Sequence, residues 1–242
     1  MPYIIKDPVC YTVPERKVEA MDTMEAIRQR HSVRSYTAEP IRKEHLEALE
    51  ELIAEASERS GLEIRLVTNE PKAFDCFLSH YGSFRNVSDY LVISVPKKGD
   101  WDEKVGYWGE MLVLEAQKMG LRTCWVALTY KKTEEVKRIR EGYRLSIVIS
   151  IGYGENDGKS RKSKAPPEVS NISEDSPEWF RNGVEAALLA PTAVNQQRFY
   201  FEHDGQGGVK AACPRGNLTK IDLGIAKYHF EAGAGKDNFH WV

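Results

Sequence analysis

Arg30-His31-Ser32-Val33-Arg34 places two guanidiniums, an imidazole and a hydroxyl within five residues. Guanidinium N–H groups form a rigid fork, so this stretch can hold a phosphate through charge-assisted hydrogen bonds. An ordinary alternative stands beside that one: basic residues at a helix C-terminus complement the macrodipole and can simply be solvated. A second candidate is Ala190-Pro191-Thr192-Ala193-Val194-Asn195-Gln196-Gln197. Proline stops the preceding helix, and small or polar residues leave backbone amides and Asn195 free to pair with the polar edge of a planar heterocycle. A plain helix exit into a strand would look the same. The third is the basic cluster Lys159, Arg161, Lys162 and Lys164, which is either a phosphate contact or a solvated charge run.

Other chemistries lack their residues. Gly152-Tyr153-Gly154-Glu155-Asn156-Asp157-Gly158 approaches a dinucleotide fingerprint but is one residue too long, and no helix follows. There is no G-x-S-x-G and no H-E-x-x-H. His203, His229 and His240 read as packing or surface residues. Cys10, Cys76, Cys124 and Cys213 are scattered, without metal spacing, and are expected to be small buried hydrophobes of a reducing compartment. Side-chain acid–base catalysis therefore finds little footing.

The chain of 242 residues is long enough for a real core, and its 41% hydrophobic and 29% charged content is that of a globular protein. A net charge of −2 from 34 basic and 36 acidic residues advertises neither nucleic acid nor anionic membrane. The longest apolar runs, such as Tyr90–Pro96, fall far short of the ~20 residues of a membrane span. Lys6 and Asp7 break the apolar start, which argues against a signal peptide. The expectation is a cytoplasmic protein.

Elements that could position the candidates alternate along the chain. Helices are expected at Thr23–His31 (capped by Asp22 or Thr23), Lys43–Arg59, Glu103–Met119, Lys132–Glu141, Glu178–Ala190 and Lys220–Ala232. Ser176 and Pro177 look like the cap and first residue of the fifth. Strands are expected at Leu62–Thr68, Tyr90–Pro96, Thr123–Tyr130, Leu145–Gly152, Phe199–His203 and Val209–Cys213, with an apolar Phe239–Val242 at the end. Gly154–Ser173 is a connector. This mixture predicts an α+β or α/β fold. Tyr107 and Trp108 belong either near a cavity mouth or, as a helical aromatic face, in the core. The second part also looks like a worn copy of the first. Gly109 and Gly224 differ by 115 positions and Trp125 and Trp241 by 116, while Ile53–Val67 lies over Ala187–Phe201 at an offset of 134.

Taken in order, these segments resemble the FMN-dependent nitroreductase family. Arg30, Ser32 and Arg34 form an R-x-S-x-R start, followed by Tyr36 and Pro40-Ile41. Gly120-Leu121-Arg122-Thr123-Cys124-Trp125-Val126 is similar to the family's G-L-G-T-C-W segment, and Gly152-Tyr153 and the basic Arg161-Lys162 complete the set. The family's A-P-S-x-x-N-x-Q-P-W loop appears as Ala190–Phe199, with Thr192 for serine and Arg198 for proline. It stands in the second half, whereas ordinary members carry it just after the R-x-S-x-R helix pair and reach with it across a homodimer. The corresponding first-half stretch, Ser57–Leu62, lacks the motif.

The resemblance implies a nitroreductase-like α+β mixed sheet with flanking helices, in which two degenerate repeats mimic a dimer. An N-terminal segment (1–22), a first half (23–165) and a shorter second half (166–242) would make one compact unit. One FMN would be held where a dimer holds two. By the same resemblance, Arg30 and Ser32 would sit at the phosphate and ribityl chain, Arg161 and Lys162 would close on the phosphate, His31 would also contact the cofactor, and Arg34 would approach the pyrimidine edge. Backbone amides near Ala127 and Leu128 would face the reactive ring nitrogen, with Pro191, Thr192, Ala193 and Asn195 on the other side. The implied activity passes a hydride from NAD(P)H through the flavin to a small acceptor such as a nitroaromatic or quinone. The chain would act as a monomeric pseudo-dimer, with further dimerisation open. Rival readings are a flavin-binding protein without turnover and a structural homologue whose site has decayed.

Overall fold

The computed structural model describes residues 21–242. Nearly all of the expected N-terminal segment, Cys10 included, lies outside the described residues. Asp22 opens α1 (Thr23–Gln29) by accepting the Glu25 N–H at 2.7 Å. In α2 (Lys43–Ser60) Leu49, Ile53 and Ala56 form the buried stripe, and Gly61 ends the helix at φ 77°, the left-handed value that glycine adopts without strain. The elements β1 (Glu63–Val67), α3 (Phe77–Tyr81), β2 (Asp89–Pro96), α4 (Asp102–Lys118), β3 (Arg122–Val126), α5 (Glu134–Lys137) and β4 (Tyr143–Gly152) complete the first part. Beyond the connector come α6 (Glu178–Leu188), β5 (Tyr200–His203), β6 (Gly208–Ala212), α7 (Thr219–Ala234) and β7 (His240–Trp241).

Three local expectations are corrected. The strand expected to reach Tyr130 stops at Val126, where the chain turns to line a cavity. The helix expected over Lys132–Glu141 is only α5, one turn capped by Thr133, because Val136 is its single buried residue. Ser176 does not cap α6: Pro177 occupies that position, and the Ser176 hydroxyl accepts the Ser173 N–H instead. Cys76 and Cys213 are half-buried rather than core residues, and Cys124 alone of the described cysteines is fully buried. Helix α3, with Phe77 and Tyr81 exposed, had no apolar period to announce it.

Two sheets organise the molecule. The first is antiparallel in the order β1-β2-β4-β3, and the second runs β5-β6-β7 with β6 and β7 parallel. Strand β2 is buried on both faces, which explains why its residues between Asp89 and Pro96 are apolar apart from Ser94. One core joins the two parts of the chain: Leu91, Ile93 and Ile149 of the first sheet meet Val105 and Leu112 of α4, Ile221 and Phe230 of α7, and Phe201 of the second sheet.

The α4–α7 crossing is governed by two glycines. A Cβ on Gly106 would fall on the carbonyl oxygen of Ile221, and one on Gly224 would fall on that of Glu103. The contact is reciprocal, and both matched pairs (106 with 224, 103 with 221) differ by 118 positions. The sequence pattern instead sets Gly109 against Gly224. Gly109 serves another purpose, since its missing side chain leaves room for the Trp125 ring. Tyr107 and Trp108 are engaged in packing. The Tyr107 hydroxyl donates to Glu231 at 2.5 Å, and Trp108 lies 4.9 Å beneath the Arg59 guanidinium.

Candidate functional site

Residue 30 leaves α1 as its C-cap, and the chain then runs beside β3. The Val33 N–H donates to the Thr123 carbonyl at 3.0 Å and Ser32 forms a parallel bridge with Thr123. An extended backbone alternates its side chains. Val33 therefore enters the core while Ser32 and Arg34 face the other way, into a cavity of about 530 Å³. That volume is in the range of small-molecule sites.

Both parts of the chain build the wall. Ser32, Arg34, Cys124, Ala127 and Leu128 come from the first, and Pro191, Thr192, Ala193, Val194 and Asp222 from the second. Of the residues singled out in sequence, Ser32, Arg34, Ala127, Leu128, Pro191, Thr192 and Ala193 are thus brought together. Arg30 and Arg161 lie just behind the wall, close enough to Arg34 and Cys124 for their charges to act on one another. Three of the expected residues are elsewhere. His31 packs over Gly158 with its Nδ1 buried and unpaired, Lys162 is exposed, and Asn195 turns its amide to the Lys162 carbonyl at 2.8 Å. The cause is the left-handed backbone at Asn195, which swings that side chain off the wall.

The electrostatics are lopsided. Arg30 is 3% exposed, and its Nε and Nη2 have no hydrogen-bond partner. Its nearest carboxylate oxygen, on Glu110, is 3.8 Å away. Burial lowers the pKa of Arg30, against the attraction of Glu110. Arg161 is pushed down to about 10, first by burial and then by Arg30, with Arg34 adding to it. Among the described residues its one hydrogen bond is a long 3.4 Å bond to the Leu189 carbonyl. Burial raises the Cys124 thiol, with the three arginines opposing, so it stays protonated at neutral pH. Unpaired, desolvated guanidinium donors cost stability unless something anionic meets them.

The second-half loop is strained and firmly held. Val194, Asn195 and Gln197 have φ of 46°, 55° and 43°, and for a β-branched residue such as Val194 that is a true outlier. Each such residue costs about 1–3 kcal/mol and persists only where the surroundings over-determine it. Here the Asp222 carboxylate accepts the Ala193 N–H at 2.9 Å and the Gln196 amide at 2.6 Å. The Thr192 hydroxyl accepts the Gln197 N–H at 3.1 Å. The Gln197 side chain is 2% exposed and bonds the Leu188 carbonyl and the Lys164 N–H, each at 2.8 Å. Burial raises the pKa of Asp222, and the two loop donors oppose it. The carbonyl oxygen of the Asn195 side chain is buried and unpaired.

Sequence reasoning missed Asp222, the anchoring by Gln197 and the Gly82-Ser83-Phe84 corner of the wall. Asp222 had a visible signal, an acid set between Ile221 and Leu223 near the start of an otherwise largely apolar helix. The corner had none. Phe84 lies under the Arg34 guanidinium at 5.8 Å, and helps fix its direction.

A family model described as "Putative TM nitroreductase" matches residues 22–234. Among solved structures the chain is similar to a "putative nitroreductase" of Thermotoga maritima MSB8, with 22% identity and a TM-score of 0.66 over 96% of this chain and 90% of that one. This likeness extends to the mixed α+β architecture as a whole. The chain also matches an FMN-dependent nitroreductase of Clostridium difficile R20291 (18% identity, TM-score 0.46, covering 62% of this chain and 98% of that one). A "putative nitroreductase" in complex with FMN from Desulfovibrio desulfuricans gives 19% identity and a TM-score of 0.48, covering 64% and 98%. A comparison with curated proteins found no match.

Proposed function

From a chain that belongs to the nitroreductase family, we propose an FMN-dependent oxidoreductase that passes a hydride from NAD(P)H to a small acceptor such as a nitroaromatic or a quinone. The observation that carries this reading is the convergence of Arg30, Arg34 and Arg161 at one cavity, with two buried donors of Arg30 unpaired. A phosphate dianion answers that deficit, and a largely apolar cavity of about 530 Å³ suits a flat heterocycle attached to it. The residues present therefore fit FMN.

When bound, the flavin supplies the hydride chemistry, so no nucleophile or general base is required of the protein. The work of the chain is to bind and orient. Arg30 and Arg161 hold the phosphate, Ser32 lies beside them, and Arg34 meets developing negative charge on the ring. Thr192 and Ala193 set the opposite wall, kept in place by Asp222. His31 and Lys162 drop out of the proposed contact set, and Asn195 acts by tying the loop to the basic segment. The reciprocal glycine crossing supports a further part of the reading: the two halves descend from one repeat, and the chain works as a monomer that imitates a dimer. Three unpaired thiols suit a cytosolic setting, and among the described residues no helix is long and apolar enough to cross a membrane.

The test is to load the purified protein with FMN, remove the excess and count bound flavin by its visible absorption. About one flavin per chain, followed by NAD(P)H oxidation that depends on an added nitro compound or quinone, is expected. Two flavins per chain would break the complementary-halves reading. None would leave the cavity to another ligand, and flavin without turnover would make the protein a binder.

A further inference from the structure

Behind the cavity a polar cluster is sealed into the core. Glu110 of α4 and His229 of α7 are both 0% exposed. Glu110 Oε2 accepts the Trp125 indole N–H at 2.9 Å, and its Oε1 lies 2.9 Å from His229 Nε2. His229 Nδ1 lies 3.1 Å from the Ala186 carbonyl oxygen in α6. Arg30 Nε stands 3.8 Å from the same Oε1, an ion-pair contact too long for a hydrogen bond. Tyr228 and Arg161 are the other ionisable groups close enough to sense Glu110.

These partners fix the proton count. A carbonyl oxygen can only accept, so His229 Nδ1 carries a hydrogen. A neutral imidazole would then turn the lone pair of Nε2 toward a carboxylate oxygen, setting two acceptors against each other at hydrogen-bond distance. The contact holds only with one proton between Nε2 and Oε1. Imidazolium with carboxylate and imidazole with carboxylic acid are the two forms, and in both the pair is electrically neutral.

We propose that His229, by sharing this proton with Glu110, cancels the carboxylate charge and leaves Arg30 free to hold the phosphate of the cofactor. His229 is thus a positioning residue contributed by the second half to the anion site of the first. Without the proton, Glu110 would be a buried anion beside Arg30 and would compete with the phosphate for it. That Nε and Nη2 of Arg30 have no hydrogen-bond partner, Nε meeting Glu110 only at 3.8 Å, agrees with a guanidinium that its neighbour has not claimed. The inference rests on the reading of Arg30 as a phosphate ligand.

The experiment compares FMN with riboflavin, which lacks the phosphate, by fluorescence titration of the flavin-free full-length protein. His229→Gln cannot carry the extra proton. Its FMN affinity is expected to fall about tenfold or more, the scale of one charge-assisted contact, with riboflavin affinity little changed. In Glu110→Gln the new amide donates to Nε2 while its oxygen accepts from Trp125, so the preference for FMN is retained. The double variant recovers the preference lost in His229→Gln, which a packing defect would not do. Equal loss of both flavins in His229→Gln, no loss at all, or loss of the preference in Glu110→Gln each overturns the proposal. Should His229→Gln fail to fold, Glu110→Gln decides alone: preference kept supports the neutral pair, and preference lost overturns it. Wild-type protein that binds FMN no better than riboflavin overturns the phosphate site itself, whereas preference in the wild type with His229→Gln unchanged overturns only this inference.

Discussion

Replacing Arg161 by methionine should stabilise the flavin-free protein while weakening its hold on FMN. The Arg161 guanidinium is half-buried beside Arg30 and Arg34 and is pushed down to about 10 from the ordinary arginine value. Between those two values the unfolded chain keeps a proton that the folded chain sheds, so stability rises with pH across that window. The penalty is fully present below it, including at neutral pH. At ~1.4 kcal/mol per pH unit the charged form costs roughly 3 kcal/mol, which solvent at the half-exposed side reduces to about 1–2 kcal/mol. Methionine keeps the aliphatic stem and gives up only the 3.4 Å bond to the Leu189 carbonyl. For a chain of this size the gain raises the apparent Tm by roughly 2–8 °C. Loss of one charge-assisted phosphate contact lowers FMN affinity by about 10–100-fold and leaves riboflavin nearly untouched. Differential scanning fluorimetry without flavin and fluorescence titration with each flavin read the two effects separately. A lower Tm together with an unchanged FMN-to-riboflavin ratio would refute the reasoning, because Arg161 would then be a structural residue.

Four further outcomes follow from the geometry. Val194→Gly relieves a left-handed φ of 46° at a side chain that is 98% exposed, so denaturant unfolding should show a gain of up to about 1 kcal/mol; a loss would mean that the valine packs on something. Asp222→Ala removes the two Asp222 hydrogen bonds to the loop and leaves those of Thr192 and Gln197; it should cost about 1–3 kcal/mol in urea unfolding and weaken FMN and riboflavin alike, unlike the arginine variants. Gly106→Ala drives a methyl into the α7 backbone, where neither helix can yield cheaply. A drop of about 3 kcal/mol or more in stability is expected, and a soluble, normally melting variant would disprove the close crossing. Burial holds the Cys124 thiol above its usual pKa, so a maleimide at pH 8 should label folded Cys124→Ser as fast as the wild type; slower labelling would show that Cys124 is reactive.

The parts of this molecule that follow local rules could be read from its sequence. Asp22 and Gly61 bound their helices as expected, and β2 announced itself by a run of apolar residues buried on both faces. Ser32 and Arg34 converge because a two-residue repeat beside β3 sends them to one side. What escaped depends on distant partners. Neither Glu110 nor His229 has a sequence neighbour that suggests the other, since they are 119 positions apart. The place of Asn195 was misjudged because three successive hydrogen-bond anchors, from Asp222, Thr192 and Gln197, hold the loop in a backbone form that its residues would not choose. The glycine that meets α7 is Gly106 rather than the Gly109 that the sequence pattern sets against Gly224, because the close approach of two backbones, rather than the similarity of two sequences, decides which glycines face each other.

Most of the fold obeys the rules of packing closely, down to two glycines that make room for each other's helix. Several of its departures from them gather near one cavity. Left-handed Val194 lines the cavity, unpaired buried donors on Arg30 and a desolvated Arg161 lie behind its wall, and the unpaired oxygen of Asn195 belongs to the same strained loop. Each is a local cost that selection for stability alone would remove, and violations of this kind gather where a protein does its work. They are also split between the halves in a particular way: the charge comes from the first and the strained loop from the second. If the site were only decaying, each half would be expected to keep fragments of both. Under the proposed reading, a division into complementary parts is what would remain of a two-site dimer joined into one chain with a single site still under use. That argument gives the Arg161 and His229 experiments their weight, because each asks whether a cost borne by the flavin-free fold is returned when an anion binds.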